Sequence, residues 1–498
     1  MTEQGTTTPR ADLAEEPVNP RRWRILGVCL AMSFLTMLDV SIVNVALPTI
    51  QTSLHASSLG LQLLVAGYTL TFGLTLVASG RLGDAGYRRQ LLLGGLVLFV
   101  AASLAAALAP NELFLVIARL IQGAAAGVVN PQGMGLVQQV FRRDERGRAF
   151  GFNGAVIGLS NTIGPVLGGV IIFLTGTVSG WRWVFGVSVP IALIILAFAW
   201  RLVPAQEKQD RRHVSLDGGG LLVITLTTLA LMFPFVTTTG VGDNPNRWWS
   251  LAVAGLGIVV LYFVERRVKS RGGSVIVDMS VLNERSFRNG TALGVAYFAG
   301  LNSVALIVTL FLQEGLKFPA LQAGLVTAPF AVGSAFVAVR AGKLVMRYGR
   351  PLVVGGLIVA CVGIGAASLI AYLYAHGTHL PGGVGIYIAA AMLVAGCGSG
   401  SVLSPNLTLT MQNVPVPKAG VSSSMMQVGQ RLGSAIGISI ALSVYYSVVA
   451  SGGTAAEAAH RTLTITLGFF GVALLVALFD SLQRRRLGIA LPTKSGRH

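Results

Sequence analysis

Residues 23–48 read WRILGVCLAMSFLTMLDVSIVNVALP, and this stretch decides the fold. Its length and apolar character are those of a membrane-spanning helix, which needs about 20 such residues to cross a hydrocarbon core about 30 Å thick. One residue, Asp39, breaks the pattern. A carboxylate at mid-span carries a penalty of about 2.5–3.5 kcal/mol or more, so an intramembrane acid is read first as a functional group. Asp39 lies nine residues before Pro48. At 1.5 Å per residue that is about 13 Å below the end of the span, too deep for so short a side chain to reach water. It is expected to be the only Asp or Glu well inside a span. Asp217, Glu314 and Asp480 fall near span ends, where solvent would hold them.

Apolar stretches of similar length recur along all 498 residues. The chain is 53% hydrophobic and 11% charged, about half the charge of an ordinary soluble protein, which points to a polytopic membrane protein. Hydropathy predicts fourteen spans. The first six are 23–48, 60–79, 91–109, 113–136, 149–174 and 183–203, and two more are 217–237 and 248–265. The last six are 290–312, 321–340, 351–374, 384–408, 419–447 and 462–480. An even count returns both termini to one side. With the N-terminus inside, the outward loops hold Arg182, Arg247, Lys317 and Arg461, and Arg119 and Arg431 lie within spans. About 31 of the 37 Lys and Arg then face the cytoplasm, a strong positive-inside bias. The net charge of +18 is accounted for by this topology and not by nucleic-acid binding. Cys29, Cys361 and Cys397 fall inside spans and read as packing residues. The six histidines fall in loops, tails or span ends and offer no relay within the bilayer.

The chain is also internally duplicated. Gly80-Arg81-Leu82 precedes Arg88 just as Gly342-Lys343-Leu344 precedes Arg350. Gly164 and Gly168 match Gly433 and Gly437, and glycine-rich segments end at Pro131 and Pro405. Repeats of this kind build many transporters, with the solute site between them. The expected organisation is therefore a tail (1–22), a six-helix bundle (23–203), a linker carrying two extra spans (204–289), a second six-helix bundle (290–481) and a tail (482–498).

Four motifs carry a family resemblance over nearly the whole chain. Leu38-Asp39-Val40-Ser41-Ile42-Val43-Asn44-Val45-Ala46-Leu47-Pro48 is the first. The second, Gly80-Arg81-Leu82-Gly83-Asp84-Ala85-Gly86-Tyr87-Arg88-Arg89, departs from its pattern at Ala85 and Tyr87. The third is Arg119-Leu120-Ile121-Gln122-Gly123, followed by Gly127 and Pro131. The fourth is Gly158-Leu159-Ser160-Asn161-Thr162-Ile163-Gly164-Pro165-Val166-Leu167-Gly168-Gly169. Together they resemble the major facilitator superfamily, and more narrowly its fourteen-helix proton-coupled drug antiporters. The resemblance implies an all-α fold of two six-helix bundles plus two inserted helices. It makes Asp39 the protonation site, the Gly80–Arg89 loop a conformational latch, and the Gly158–Gly169 motif a marker of export.

The residues support that reading independently. Arg119 lies about seven residues, or about 10 Å, from the outer end of its span, close to the depth of Asp39. An arginine lowers a carboxylate's pKa while desolvation raises it, so a moving pair can take up and release a proton. Small residues four apart in the fourth motif let helices approach closely, and Pro165 can bend the span. Phe34, Asn44, Tyr68, Gln122, Asn161, Asn302, Gln427 and Arg431 are cavity candidates. Trp181-Arg182-Trp183 reads as an interfacial anchor. No Walker-type phosphate loop and no H-E-x-x-H motif occur, so an enzyme or an ATP-driven pump is disfavoured.

The expected activity is proton-coupled efflux of lipophilic, neutral or monocationic molecules, with Arg431 leaving an anionic solute open. The alternatives are a dedicated exporter of one antibiotic, metabolite or lipid and, behind it, an uptake symporter. No cofactor beyond the proton gradient is expected. The expected setting is a bacterial plasma membrane, with the protein a monomer and both termini cytoplasmic.

Overall fold

The structure is a computed structural model that describes residues 20–486 except 58–59, 62, 177, 205–217, 237–244, 271–280, 282, 379–380, 382 and 416–417. Both expected tails, Asp217 and much of the expected linker fall largely or wholly outside the described residues. The described residues form helices and short connections with no strand among them. This is the solution that satisfies backbone polar groups in lipid.

The first half comprises α1 (Arg22–Leu54), α2 (Tyr68–Leu82), α3 (Arg88–Ala107), α4 (Glu112–Val140), α5 (Arg143–Thr175), α6 (Gly180–Gly186) and α7 (Ser188–Leu202). α8 (Gly218–Val236) and α9 (Trp249–Ser270) follow and pack on each other. α8 also touches α2 and α14, one helix from each half. The second half comprises α10 (Arg285–Leu310), α11 (Ala320–Tyr348), α12 (Arg350–Ala375), α13 (Val384–Met411), α14 (Ala419–Ala450) and α15 (Ala455–Arg486).

Twelve segments among the described residues are long and apolar enough to cross a membrane, against the fourteen expected. The difference has two sources. Leu63–Ala107 forms one continuous helical segment of 45 residues. It runs through a π-helical joint, Gly83–Tyr87, where Gly86 takes a φ of 98° that suits a residue without Cβ. The other source is α8, which is helical but is not among the twelve.

Three apolar clusters organise the packing. One gathers Ile42, Ala46, Leu115, Trp181 and Phe185 of the first half. A second gathers Tyr297, Phe311, Leu357, Ile388 and Phe470 of the second half. The third contains Ile25 and Leu26 from the start of α1 together with Phe287, Leu407, Met411 and Met426 of the second half. The halves are thus joined near the face where the described chain begins, called here the terminal face. Farther from it, each half keeps its own core. Glycine contacts make the join close: a Cβ on Gly147 would meet the Gly342 carbonyl, and one on Gly80 the Gly420 carbonyl.

Two local expectations change. Trp181 is fully buried and packs edge-on to Phe185, so it belongs to the core; Trp183 is the exposed member of that triplet. Arg182 donates to the Ala107 and Ala109 carbonyls (3.2 and 2.7 Å), closing the end of α3. Asp480 is also buried, where solvation was expected. It accepts from Arg350 Nε and from Asn289 Nδ2 (2.8 Å), and Arg350 Nη1 donates to Asn406 Oδ1. Asp39 is therefore not the sole acid enclosed by the spans. Hydropathy set Asp480 at a span end, but α15 continues to Arg486 and carries it into the bundle.

Candidate functional site

The site begins at the start of α4. Asn111 caps that helix by accepting from the Phe114 amide (2.9 Å), and two turns later Arg119 points into the first half. Facing it is Asp39, in the middle of α1. Arg119 Nη1 donates to Asp39 Oδ2 at 2.6 Å, and both side chains are almost wholly shielded. Such a pair is held by attraction in low dielectric against a large desolvation penalty, so its remaining polar atoms must be matched.

They are. Gln122, one turn along α4, donates from Nε2 to Asp39 Oδ1 (2.9 Å) and to Ser103 Oγ (2.8 Å). Its Oε1 accepts from Arg119 Nη1 (2.6 Å). Arg119 Nε donates to the Leu64 carbonyl (3.2 Å), which lies in the π-helical turn Leu63–Gly67 before α2. The guanidinium also lies over the Tyr68 ring at 4.3 Å and near Phe185 at 5.7 Å. Both carboxylate oxygens are engaged, and α1, α2, α3, α4 and α6 contribute side chains to one buried charge assembly. Separating charges so placed requires neutralising one of them, and the carboxylate is the group that can take a proton.

The glycine motif of α5 lies beside this assembly. A Cβ on Gly164 would collide with Ser41, and one on Gly168 would press on Ile42. Ser41 Oγ donates to the Ser160 carbonyl (3.2 Å). Pro165 sits inside α5 between the two glycines, and Gly169 faces open space. Gly158 faces the other half, near Ala331 and Ser334 of α11. The motif therefore packs α5 against the acid-bearing stretch of α1 on one side and against α11 on the other.

The joint after α2 spans the two halves. Asp84 accepts from the Gly420 and Val421 amides at the start of α14, both at 2.9 Å. A carboxylate at a helix N-terminus is favoured by unpaired amides and by the helix dipole. Arg88 donates to Asp84 Oδ1 (2.9 Å) and to Gln139 Oε1 (3.0 Å). Gly80 allows the backbones of α2 and α14 to touch. Arg89 instead donates to the Trp200 carbonyl (2.9 Å). It helps line a cavity of about 350 Å³ with Arg21 and Arg201, away from the ion pair.

The cavity candidates divide. Gln122 is fully buried in the ion-pair assembly, so it does not line a cavity. Tyr68 is buried against Arg119, and its hydroxyl has no partner among the described residues. Arg431 lies over Phe72 at 4.6 Å, and Gln427 Nε2 is buried without a partner among the described residues. Asn302 donates to Ser434 within the second half (2.6 Å). Phe34 is half-buried on α1, and Asn44 is exposed. The side chain of Asn161 lies outside the described residues. Ser103, the Leu64 carbonyl and Phe185 were not anticipated. A serine in a span carries little signal by itself, and a backbone carbonyl carries none.

Comparison with known proteins bears on the family and the fold. Residues 29–438 match the family described as Major Facilitator Superfamily. The chain is 30% identical over 465 residues to the "Probable actinorhodin transporter" of Streptomyces coelicolor, covering 92% of this chain and 78% of that protein. It is 31% identical to the puromycin resistance protein pur8 of Streptomyces alboniger, covering 92% and 87%. It is 30% identical to the multidrug resistance protein Stp of Mycobacterium tuberculosis, covering 82% and 73%. Among solved structures, the human organic anion transporter MFSD10 superposes with a TM-score of 0.65 at 16% identity, covering 92% of this chain and all (100%) of that one. The proton:xylose symporter XylE superposes with a TM-score of 0.62 at 16% identity, covering 92% and 94%. At that identity the structures speak for the fold alone. The matched residues, the sequence relatives and the fold agree: this chain belongs to the major facilitator superfamily.

Proposed function

We propose that the protein exports small lipophilic molecules in exchange for protons by alternating access. The observation that carries this reading is the buried Arg119–Asp39 pair with both carboxylate oxygens engaged. A proton arriving at Asp39 converts the carboxylate to a neutral acid. Arg119 then loses its counter-charge, and the attraction between α1 and α4 falls. α5 packs directly on Ser41 and Ile42, so a shift of α1 is passed to the helix that also contacts α11. Proton and solute need not share atoms; each need only favour the opposite member of one pair of states. The names of the sequence relatives, two of them for antibiotic or multidrug resistance, support efflux as the direction.

In this reading the membrane is a bacterial plasma membrane and the terminal face is cytoplasmic. The 45-residue stretch Leu63–Ala107 is two crossings joined at Gly86, and α8 is a further one, giving fourteen. The join between the halves then lies on the cytoplasmic side, so the cleft between them faces outward. The working unit is a monomer, since each bundle and the proton site are complete within one chain.

Inside-out vesicles containing the protein test this. An imposed pH gradient, acid inside, should drive concentrative uptake of a lipophilic substrate such as a membrane dye, and a protonophore should collapse it. Uptake that equilibrates without concentrating, indifferent to the protonophore, would contradict antiport. A dedicated exporter is the second reading, favoured by relatives named for a single compound. A panel of unrelated toxic compounds separates the two by breadth of protection.

A further inference from the structure

We propose that the solute site is a donor-rich cradle formed by Tyr68, Gln427 and Arg431 between α2 and α14. We infer that it takes a flat apolar solute carrying a carboxylate or phenolate. The inference deepens the export reading above and rests on it for the word solute.

The cradle follows from the register of the two helices. α2 and α14 touch backbone to backbone at Gly80 and Gly420, and Ser424 Oγ donates to the Leu76 carbonyl (2.7 Å). Farther from the terminal face, Arg431 takes up the space between them, its guanidinium over the Phe72 ring at 4.6 Å. Tyr68 stacks on Phe72 at 6.3 Å, one turn beyond. Gln427 precedes Arg431 by four residues, so the two share one face of α14.

The cluster holds several N–H and O–H donors without acceptors among the described residues. Arg431 is half-buried and makes no hydrogen bond or ion pair with a described residue. Its guanidinium has five N–H groups to satisfy. The Gln427 amide nitrogen and the Tyr68 hydroxyl are buried, and neither has a partner among the described residues. Arg431 lies twelve residues from Ala419, about 18 Å along the helix, so it cannot snorkel to the terminal face. Asp39 is no counter-ion for Arg431, because Arg119 and Gln122 occupy both of its oxygens. With that pair neutral overall, Arg431 leaves one net positive charge at the interface of the halves.

A planar fork of N–H donors matches a carboxylate, and a guanidinium stacked over Phe72 can offer its other face to a planar ring. A neutral solute would leave the charge unmatched, and an ammonium would be repelled. The bland alternative is that water alone hydrates these donors in an aqueous cleft. It predicts no preference for an acid over its amide.

The test is equilibrium binding to the purified full-length protein in lipid nanodiscs, with no gradient imposed. Three probes share one ring system: anthracene-9-carboxylate, its carboxamide and the corresponding aminomethyl cation. The wild type should bind the acid about tenfold or more tighter than the amide, the scale of one charge-assisted contact, and should bind the cation least. Arg431→Gln should erase the preference, and Arg431→Lys should keep part of it. Tyr68→Phe should weaken acid and amide alike. Equal affinity for acid and amide in the wild type overturns the proposal, as does an Arg431→Gln protein that melts like the wild type and keeps the preference. If Arg431→Gln fails to fold, the wild-type order of the three probes still decides. Because no gradient is applied, the site stands or falls independently of whether vesicles show proton-driven export.

Discussion

The two halves carry matching basic joints in sequence and use them differently. In the first half, Asp84 reaches across to the Gly420 and Val421 amides of the second half, and Arg88 supports it. In the second half, the position matching Asp84 is Met346, and Arg350, the counterpart of Arg88, turns inward to Asp480 and Asn406. What crosses between halves at the second joint is backbone against backbone, Gly342 on Gly147. One charge set therefore spans a boundary that must open in each transport cycle, and the other sits inside one bundle. A charge on a moving boundary must be weak enough to break. A charge within a bundle has no such limit and serves to fix α10, α12, α13 and α15 together.

This comparison can be broken by substitution. The largest effect is expected from Arg350→Met or Asp480→Asn, each of which strands a buried polar partner. Either should cost about 3–5 kcal/mol of stability, visible as a lower melting temperature and poor recovery in detergent. The double substitution Arg350→Met with Asp480→Leu should recover much of that loss. Single variants that melt like the wild type would remove the staple role. Gly342→Ala comes next. Its new methyl meets the Gly147 carbonyl, a clash worth about 1–3 kcal/mol against the joined state alone. Spin labels placed across the terminal face should report a wider separation, with melting little changed. The smallest effect belongs to Asp84→Asn. It removes a charge from a helix N-terminus, worth about 0.3–2 kcal/mol, and should shift the same label distances in the same direction but less. An Asp84→Asn protein that loses stability as Arg350→Met does would erase the distinction between the joints.

Much of this was legible in the sequence because each signal was local. Asp39 announced itself by interrupting an apolar run, and the estimated depth of Arg119 matched it before any contact was known. The small-residue spacing of Gly164 and Gly168 marked a packing face, and that face lies against α1. What stayed hidden depended on distance along the chain. Asp480 and Arg350 are 130 residues apart. Hydropathy placed one at a span end and the other in a basic loop, so neither suggested the other. Gln122 reads as a cavity candidate in the sequence, and only the fold shows that it completes the ion pair and does not line a cavity. The span count differed for a related reason. By hydropathy the charged stretch 81–90 parts two spans, but the helix runs on through π-helical residues at Gly83–Tyr87 and joins them into one segment.

The central claim is that protonation of Asp39 couples the gradient to transport, and Asp39→Asn tests it most directly. Wild type and variant should be compared in inside-out vesicles, for pH-driven accumulation and for solute exchange without a gradient. The amide cannot take up the proton, so the predicted result is loss of accumulation with exchange retained. Asp39→Asn vesicles that accumulate solute as the wild type does would contradict the claim.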